Sequence, residues 1–492
     1  MTLTVEDQAT RSNFTRDKLF IGGRWRKSAG SRRIDIVNPA TEEVIGSVPA
    51  ASKADTDAAV EAAVAAFAQG PWPKLSFTER GVHLARIADE LERRGEQIAE
   101  AYVNDFGGLI EVGRAFAHMA AGILRQHRDL AETHWQEPER RVEGGVEALI
   151  AREPVGPVLG IVPWNSTFVI TILKLAPALL AGCPIVIKIA PESPLNSFVI
   201  ADAIAAADLP EGLVSFLPGN RNELGNIAAR PEFRHISFTG STPAGTQIMK
   251  SAAANITAVT LELGGKSPAI FLDDFDPADA AVLLPATLGQ AGQTCTTYSR
   301  LLVPASRETE WRTALADLYG SVVLGDPADP ATQMGPLLNE KHRRSVEDHI
   351  DRAVRDGATI LTGGTRPIAF ERGFYLEPTI ITDVTQDMAI VREEVFGPVL
   401  TLQSYQTIDE AIEMANDSEY GLAAGVYGHD DTRALEIAAR LEAGNVSLNG
   451  LFGSCILMPF GGYKKSGLGR EGGPEGVEEF LEIKQIQLRR AN

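Results

Sequence analysis

From Arg152 onward the sequence alternates short β-rich runs with helical segments, and this rhythm constrains the fold more than any other feature. Runs at residues 155–162, 184–189, 213–217 and 234–238 are separated by helical stretches at 168–180, 197–207 and 221–229. Strand, helix and strand in this order predict a parallel sheet with helices packed on both faces. A second alternation runs from about residue 259 to 460, with strands at 299–303, 399–403 and 425–427 and a long helix at 339–356. Two α/β halves are therefore expected. Ahead of them, residues 55–69 and 79–106 carry alanine-rich apolar faces at helical spacing. The tail differs. Between residues 480 and 488, Leu481 and Ile483, then Ile486 and Leu488, sit two apart among polar neighbours, which reads as a strand needing a partner from elsewhere, such as another subunit.

At 492 residues, 44% of them hydrophobic, the chain has material for a large core in two or three domains. A net charge of -19 disfavours a nucleic-acid partner, which requires a basic face. Its three cysteines, Cys183, Cys295 and Cys455, are too few and too scattered for a disulfide framework. No spacing of cysteine or histidine suits a metal, so none is expected. Residues 1–16 lack the apolar core of a signal peptide. The greasiest stretch, 167–190, is broken by Lys174, Pro177, Gly182, Pro184 and Lys188, and so reads as a helix and a buried strand, not a membrane span. A cytoplasmic protein without a membrane partner is the expectation.

Three side chains suggest chemistry. Cys295 closes the glycine-rich stretch 289–295; Glu262 is an acid inside an otherwise apolar turn, Leu261-Glu262-Leu263-Gly264-Gly265; Asn165 follows Pro163-Trp164. Thiol, carboxylate and amide are nucleophile, base and oxyanion donor for acyl transfer through a thioester. Taken alone, each has a structural reading: buried cysteine, backbone-bonded carboxylate, turn asparagine. A strand at 235–238 enters Thr239-Gly240-Ser241-Thr242 and a helix at 243–254, where Thr239, Ser241 or Thr242 can cap the helix and Gly240 can let the chain turn sharply. Such a helix start attracts phosphate. Gly467, Gly469 and Gly472 match Gly-x-Gly-x-x-Gly, but the preceding Tyr463-Lys464-Lys465-Ser466 is no buried strand, so this is not a dinucleotide fingerprint.

Together, Pro163-Trp164-Asn165, Lys188, Phe238-Thr239-Gly240-Ser241, Leu261 to Gly265, Gly292-Gln293-Thr294-Cys295, Glu393 to Pro398 and Pro459-Phe460-Gly461-Gly462 give a chain that resembles the aldehyde dehydrogenase superfamily over almost its full length. The resemblance implies NAD(P)-dependent, non-acylating oxidation of an aldehyde to its carboxylic acid. In that scheme Cys295 is the nucleophile, Asn165 holds the oxyanion, Glu262 activates water, and Lys174 stands near the polar network of the site. Trp164, Lys188, Gly240, Ser241, Glu394 and Phe396 are the implied cofactor contacts. NAD is expected, with NADP as the alternative, because Pro191 stands where many NAD-preferring members place a glutamate and Glu192 comes one residue later.

The implied architecture is two Rossmann-like α/β domains plus a small β oligomerisation element. An NAD(P)-binding domain covers 1–135 and 154–261, a catalytic domain 262–466, and the element 136–153 and 467–492, giving a homodimer or homotetramer. Phe168, Cys455 and Phe460 are expected at the substrate pocket. The segment 451–458 carries no arginine, lysine or acid, which points to an uncharged, hydrophobic aldehyde. Two other readings stand beside this one: a CoA-acylating dehydrogenase, disfavoured by Glu262, and a non-catalytic ligand-binding or structural relative, disfavoured by the joint presence of thiol, acid and amide.

Overall fold

The computed structural model describes residues 14–144, 146–450 and 458–488. Its larger sheet has eight strands in the order Arg24–Lys27, Lys18–Ile21, Val214–Pro218, Ile185–Ile189, Val158–Ile161, His235–Thr239, Ala258–Glu262 and Gly467–Leu468. The five central strands run parallel, and antiparallel strands close both edges. Each central strand is an apolar run because both of its faces are covered. Val158, Ile185, Ile187 and Phe216 pack against the helices Phe77–Glu92, Ile110–Thr133, Thr167–Ala181 and Leu195–Ala206. Leu159, Val186, Leu217, Ile236 and Leu261 point the other way, toward Lys53–Gln69 and Thr242–Ala253.

Strand order reverses between Val158–Ile161 and His235–Thr239: earlier neighbours lie to one side and later ones to the other. In an open parallel sheet that reversal leaves a crevice at the carboxyl ends of the two strands, where dinucleotides bind. The chain leaves one strand at Val162-Pro163-Trp164-Asn165 and the other at Gly240-Ser241, so both loops flank the crevice.

A second sheet has seven strands, ordered Thr359–Thr362, Thr379–Thr382, Val399–Tyr405, Tyr298–Pro304, Ser267–Phe271, Ala423–Tyr427 and Asn445–Leu448, parallel except at its first pair. Helices Glu308–Gly320 and Glu340–Arg355 cover one face through Trp311, Leu315, Val346 and Ile350. The other face carries Ile408–Asn416 and Asp431–Ala438.

The tail strand Leu481–Leu488 finds its partner within the same chain. It pairs antiparallel with Val146–Pro154, which also pairs with Glu139–Glu143, and it remains an edge strand of this three-stranded sheet. Gly467–Leu468, grouped with the tail in the sequence reading, instead joins the eight-stranded sheet beside Leu261–Glu262. No described helix is long and apolar enough to cross a membrane.

Candidate active site

One cleft of about 400 Å³ lies at the switch point and is lined by Val162 to Asn165, Lys188, Thr239 to Ser241, Gly264, Cys295, Glu394 and Phe396. Of the thirteen expected site residues, it gathers eight: Cys295, Asn165, Trp164, Lys188, Gly240, Ser241, Glu394 and Phe396. It opens beside an apolar slot of about 270 Å³ made by Leu224, Ile227, Ala228 and Ile248, sharing Ile161, Lys188, Phe238 and Ala244 with it.

Cys295 sits on the loop that enters strand Tyr298–Pro304, half-buried, with its backbone against Gly265. A Cβ at Gly265 would stand 2.5 Å from the Cys295 carbonyl oxygen, so the second glycine of Leu-Glu-Leu-Gly-Gly is required by close approach. Desolvation, then the charges of Glu394 and Glu262, push the thiol up to about 12, while the backbone N–H groups of Cys295 and Thr296 pull the other way. Burial thus favours the protonated thiol.

Glu262 ends its strand behind the cleft, 3% exposed, and neither carboxylate oxygen has a hydrogen-bond partner among the described residues. Burial first, and the nearby charge of Glu471 second, hold its carboxyl well above the ordinary range; Lys174 and Arg470 oppose this. Lys174 also lies behind the cleft. Its ammonium donates to Glu471 at 2.6 Å and to Ser237 at 3.0 Å, and Ser237 donates to the same Glu471 oxygen at 3.1 Å. Two in-register pairs explain the grouping: on adjacent strands Ser237 stands opposite Thr260 and Thr239 opposite Glu262, so alternate residues form a polar stripe on one sheet face. Glu471 was missed in the sequence. It lies 297 residues from Lys174 in a glycine-rich stretch that carries no local signal.

The Asn165 amide forms no hydrogen bond among the described residues and faces the cleft, 6% exposed. Glu394 accepts the Gly265 N–H at 2.9 Å, and burial raises its carboxyl to about 7 against the opposing pull of that bond and of Lys266. Phe396 is held with φ of 58°, its ring edge-on to Trp164 at 5.2 Å and its carbonyl bonded to His342 Nε2 at 2.7 Å. Lys188 has neither an ion-pair nor a hydrogen-bond partner among the described residues; burial lowers its pKa and Glu192 opposes that. Glu192 also lines the cleft, so a carboxylate is present beside the lysine although it is one residue out of the common spacing.

Ser241 occupies the N-cap of Thr242–Ala253, yet its hydroxyl makes no capping bond, which leaves first-turn N–H groups open toward the cleft. Gly240 keeps a negative φ; what demands glycine is the Phe238 ring, 2.6 Å from where a Cβ would stand.

The expected substrate residues fare differently. Phe168 is a core residue: it is fully buried, stacks on Phe116 at 6.2 Å, and does not line the cleft, because its position on the helix after Asn165 turns it inward. Phe460 pairs through its backbone with Glu471 and is half-buried, also outside the cleft lining. Cys455 lies outside the described residues.

The sequence pattern of the aldehyde dehydrogenase family matches residues 25–486, and the chain belongs to that family. A geranial dehydrogenase from Castellaniella defragrans is 39% identical over 96% of this chain and 98% of its own. The crystal structure of a betaine aldehyde dehydrogenase from Staphylococcus aureus in complex with NAD+ superposes with a TM-score of 0.94 at 36% identity, over 97% of both chains. An aldehyde dehydrogenase from Mycobacterium tuberculosis complexed with NAD+ gives a TM-score of 0.92 at 39% identity, over 96% of this chain and 98% of that one.

Proposed function

We propose that the protein oxidises an uncharged, hydrophobic aldehyde to its carboxylic acid with NAD, through a thiohemiacetal and a thioester on Cys295. The observation that carries this reading is the meeting, at the switch-point cleft, of a thiol, a free amide and a dinucleotide-shaped set of polar groups. The cleft fits the cofactor. Open N–H groups at the Ser241 helix start suit a pyrophosphate, unpartnered Lys188 suits ribose hydroxyls, and the apolar slot beyond it suits an adenine. Glu394, held by the Gly265 N–H, suits the hydroxyls of the second ribose. The carboxylate of Glu192 near Lys188 disfavours a 2′-phosphate and supports NAD over NADP.

The chain's own residues then divide the work. Cys295 sulfur bonds to the aldehyde carbon as its proton passes through Glu262 to solvent, and the carbonyl electron pair moves to oxygen. Asn165 and the Cys295 backbone N–H hold that oxyanion. Bound NAD supplies the hydride acceptor. Glu262 takes a proton from the water that attacks the thioester carbon, the C–S bond breaks, and the acid leaves. Lys174 favours the ionised form of Glu262 through its charge. Loss of the acyl group to water rather than CoA follows from that buried base; acyl-CoA formed without free acid would overturn it.

Geranial, the aldehyde in the name of one relative, is uncharged and apolar, and it favours the hydrophobic substrate class; the betaine aldehyde of another relative is cationic. The test is NAD reduction followed by absorbance across medium-chain, aromatic, succinic semialdehyde and betaine aldehyde substrates. Higher kcat/KM for either charged aldehyde would sink the substrate assignment, and no reduction with any of them would sink the activity.

The three-stranded sheet is the proposed assembly surface of a homodimer or homotetramer. Ile483 and Val142 are 69% and 70% exposed there, and Leu481–Leu488 offers an unpaired edge. Light scattering that returns a monomer at micromolar concentration would refute it. A cytoplasmic setting remains the proposal for a chain with so few cysteines.

A further inference from the structure

Asn165 and Cys295 come from different sheets: one loop leaves Val158–Ile161, the other enters Tyr298–Pro304. An oxyanion shared by the two needs their separation held to a fraction of an ångström. One side chain bridges the loops. Gln290 Nε2 donates to Ser166 Oγ at 2.6 Å, and Gln290 Oε1 accepts from Thr294 Oγ1 at 2.9 Å. Ser166 is the residue after Asn165, and Thr294 is the residue before Cys295.

Both loops need such a tie. Ser166 has φ of 47°, and Gln290 and Ala291 have φ of 56° and 54°, a left-handed backbone that residues other than glycine keep only when their surroundings impose it. The nucleophile loop is anchored from behind as well: Gln293 Nε2 donates to the Gln290 carbonyl at 2.9 Å while its Oε1 accepts Leu338 N–H at 2.9 Å. Gln290 is thus fixed to the seven-stranded sheet's side and reaches across to the eight-stranded side.

We propose that Gln290 is a positioning residue that sets the distance between the Asn165 amide and the Cys295 thiol, acting through Ser166 and Thr294. The inference rests on the proposed dehydrogenase activity. Its action falls on the bond-forming and hydride-transfer steps and leaves the dinucleotide contacts alone, because among the described residues it bonds to Ser166 and Thr294 and not to Lys188, Ser241 or Glu394.

The test compares wild type, Gln290→Ala, Gln290→Glu, Ser166→Ala and the Gln290→Ala/Ser166→Ala double variant in the full-length protein. The readouts are the pre-steady-state rate of NADH formation, KM for each substrate, NAD affinity and melting temperature. Gln290→Ala is expected to slow hydride transfer by about tenfold to hundredfold, the scale of an ångström-sized misplacement, with NAD affinity within about twofold. Gln290→Glu recovers much of the rate, because the Ser166 hydroxyl can reverse and donate to the carboxylate. The double variant is no slower than Gln290→Ala, since the bond that Ser166→Ala deletes is already lost in Gln290→Ala. An unchanged hydride-transfer rate in Gln290→Ala overturns the inference, as does a loss that Glu does not rescue and that follows a fall in melting temperature. If Gln290→Ala does not fold, Ser166→Ala carries the same test from the far end of the bond. A wild type that reduces no NAD removes the activity and the inference together, whereas an active wild type with a fully active Gln290→Ala removes the inference alone.

Discussion

Replacing Gly264 with alanine isolates the contribution of Glu394. A Cβ built at Gly264 stands 2.8 Å from Glu394 Cδ and closer still to Oε2, while Gly264 itself has no left-handed backbone to lose. Something must give, and the far end of a glutamate gives more cheaply than the loop backbone that links two strands. Restoring ordinary contact moves the carboxylate by about an ångström, which breaks its 2.9 Å bond from the Gly265 N–H and withdraws it from the ribose contact proposed for it. A hydrogen bond to a charged group is worth about 1.5–3 kcal/mol. At 1.4 kcal/mol per factor of ten, Gly264→Ala should weaken NAD by roughly 10- to 150-fold. Calorimetry of NAD binding and KM for NAD at saturating aldehyde measure it, with a melting curve to show that the fold is intact. Unchanged NAD affinity in a folded variant would refute the placement of Glu394. A loss that appears equally in KM for the aldehyde would show that the loop, rather than the carboxylate, had moved.

Other outcomes follow from the same geometry. Cys295→Ala should abolish aldehyde oxidation and leave NAD binding largely intact; any full turnover would remove the nucleophile assignment. Because burial raises both the Glu262 carboxyl and the Cys295 thiol, their reactive deprotonated forms increase with pH, so kcat/KM should climb from neutral into the alkaline range, and Glu262→Gln should remove one limb of that rise. The stability sign is the reverse. An acid whose folded pKa is raised stabilises the fold at low pH and loses that contribution as pH rises, so Glu262→Gln should raise the melting temperature more in alkaline than in mildly acidic buffer. Lys174→Met leaves Glu471 buried without its cation, which costs about 3–5 kcal/mol, and it should move the alkaline limb of the rate profile upward, because the charge that favours ionised Glu262 has gone.

Much of this fold was readable from periodicity for a physical reason. Strands such as Ile185–Ile189 are buried on both faces and so appear as uninterrupted apolar runs. Helix Ile110–Thr133 escaped because it starts after Leu109, which makes no side-chain cap, and so it lacks the usual punctuation. Cys295, Asn165 and Glu394 stand in short motifs whose order in the chain could be matched. The roles of Glu471 and Gln290 could not, since Glu471 meets Lys174 across 297 residues and Gln290 meets Ser166 across 124. Phe168 was misplaced by proximity in sequence: three residues after Asn165, the helix has already turned its side chain into the core. Glu192 was misjudged for the opposite reason, because spacing along the chain understated how close a carboxylate comes to Lys188.

A nucleophile whose thiol is held up to about 12 is also a guarded one. Oxidants and alkylating agents attack thiolate, not thiol, so the burial that raises this pKa also slows their reaction with an idle site relative to an ordinary exposed cysteine.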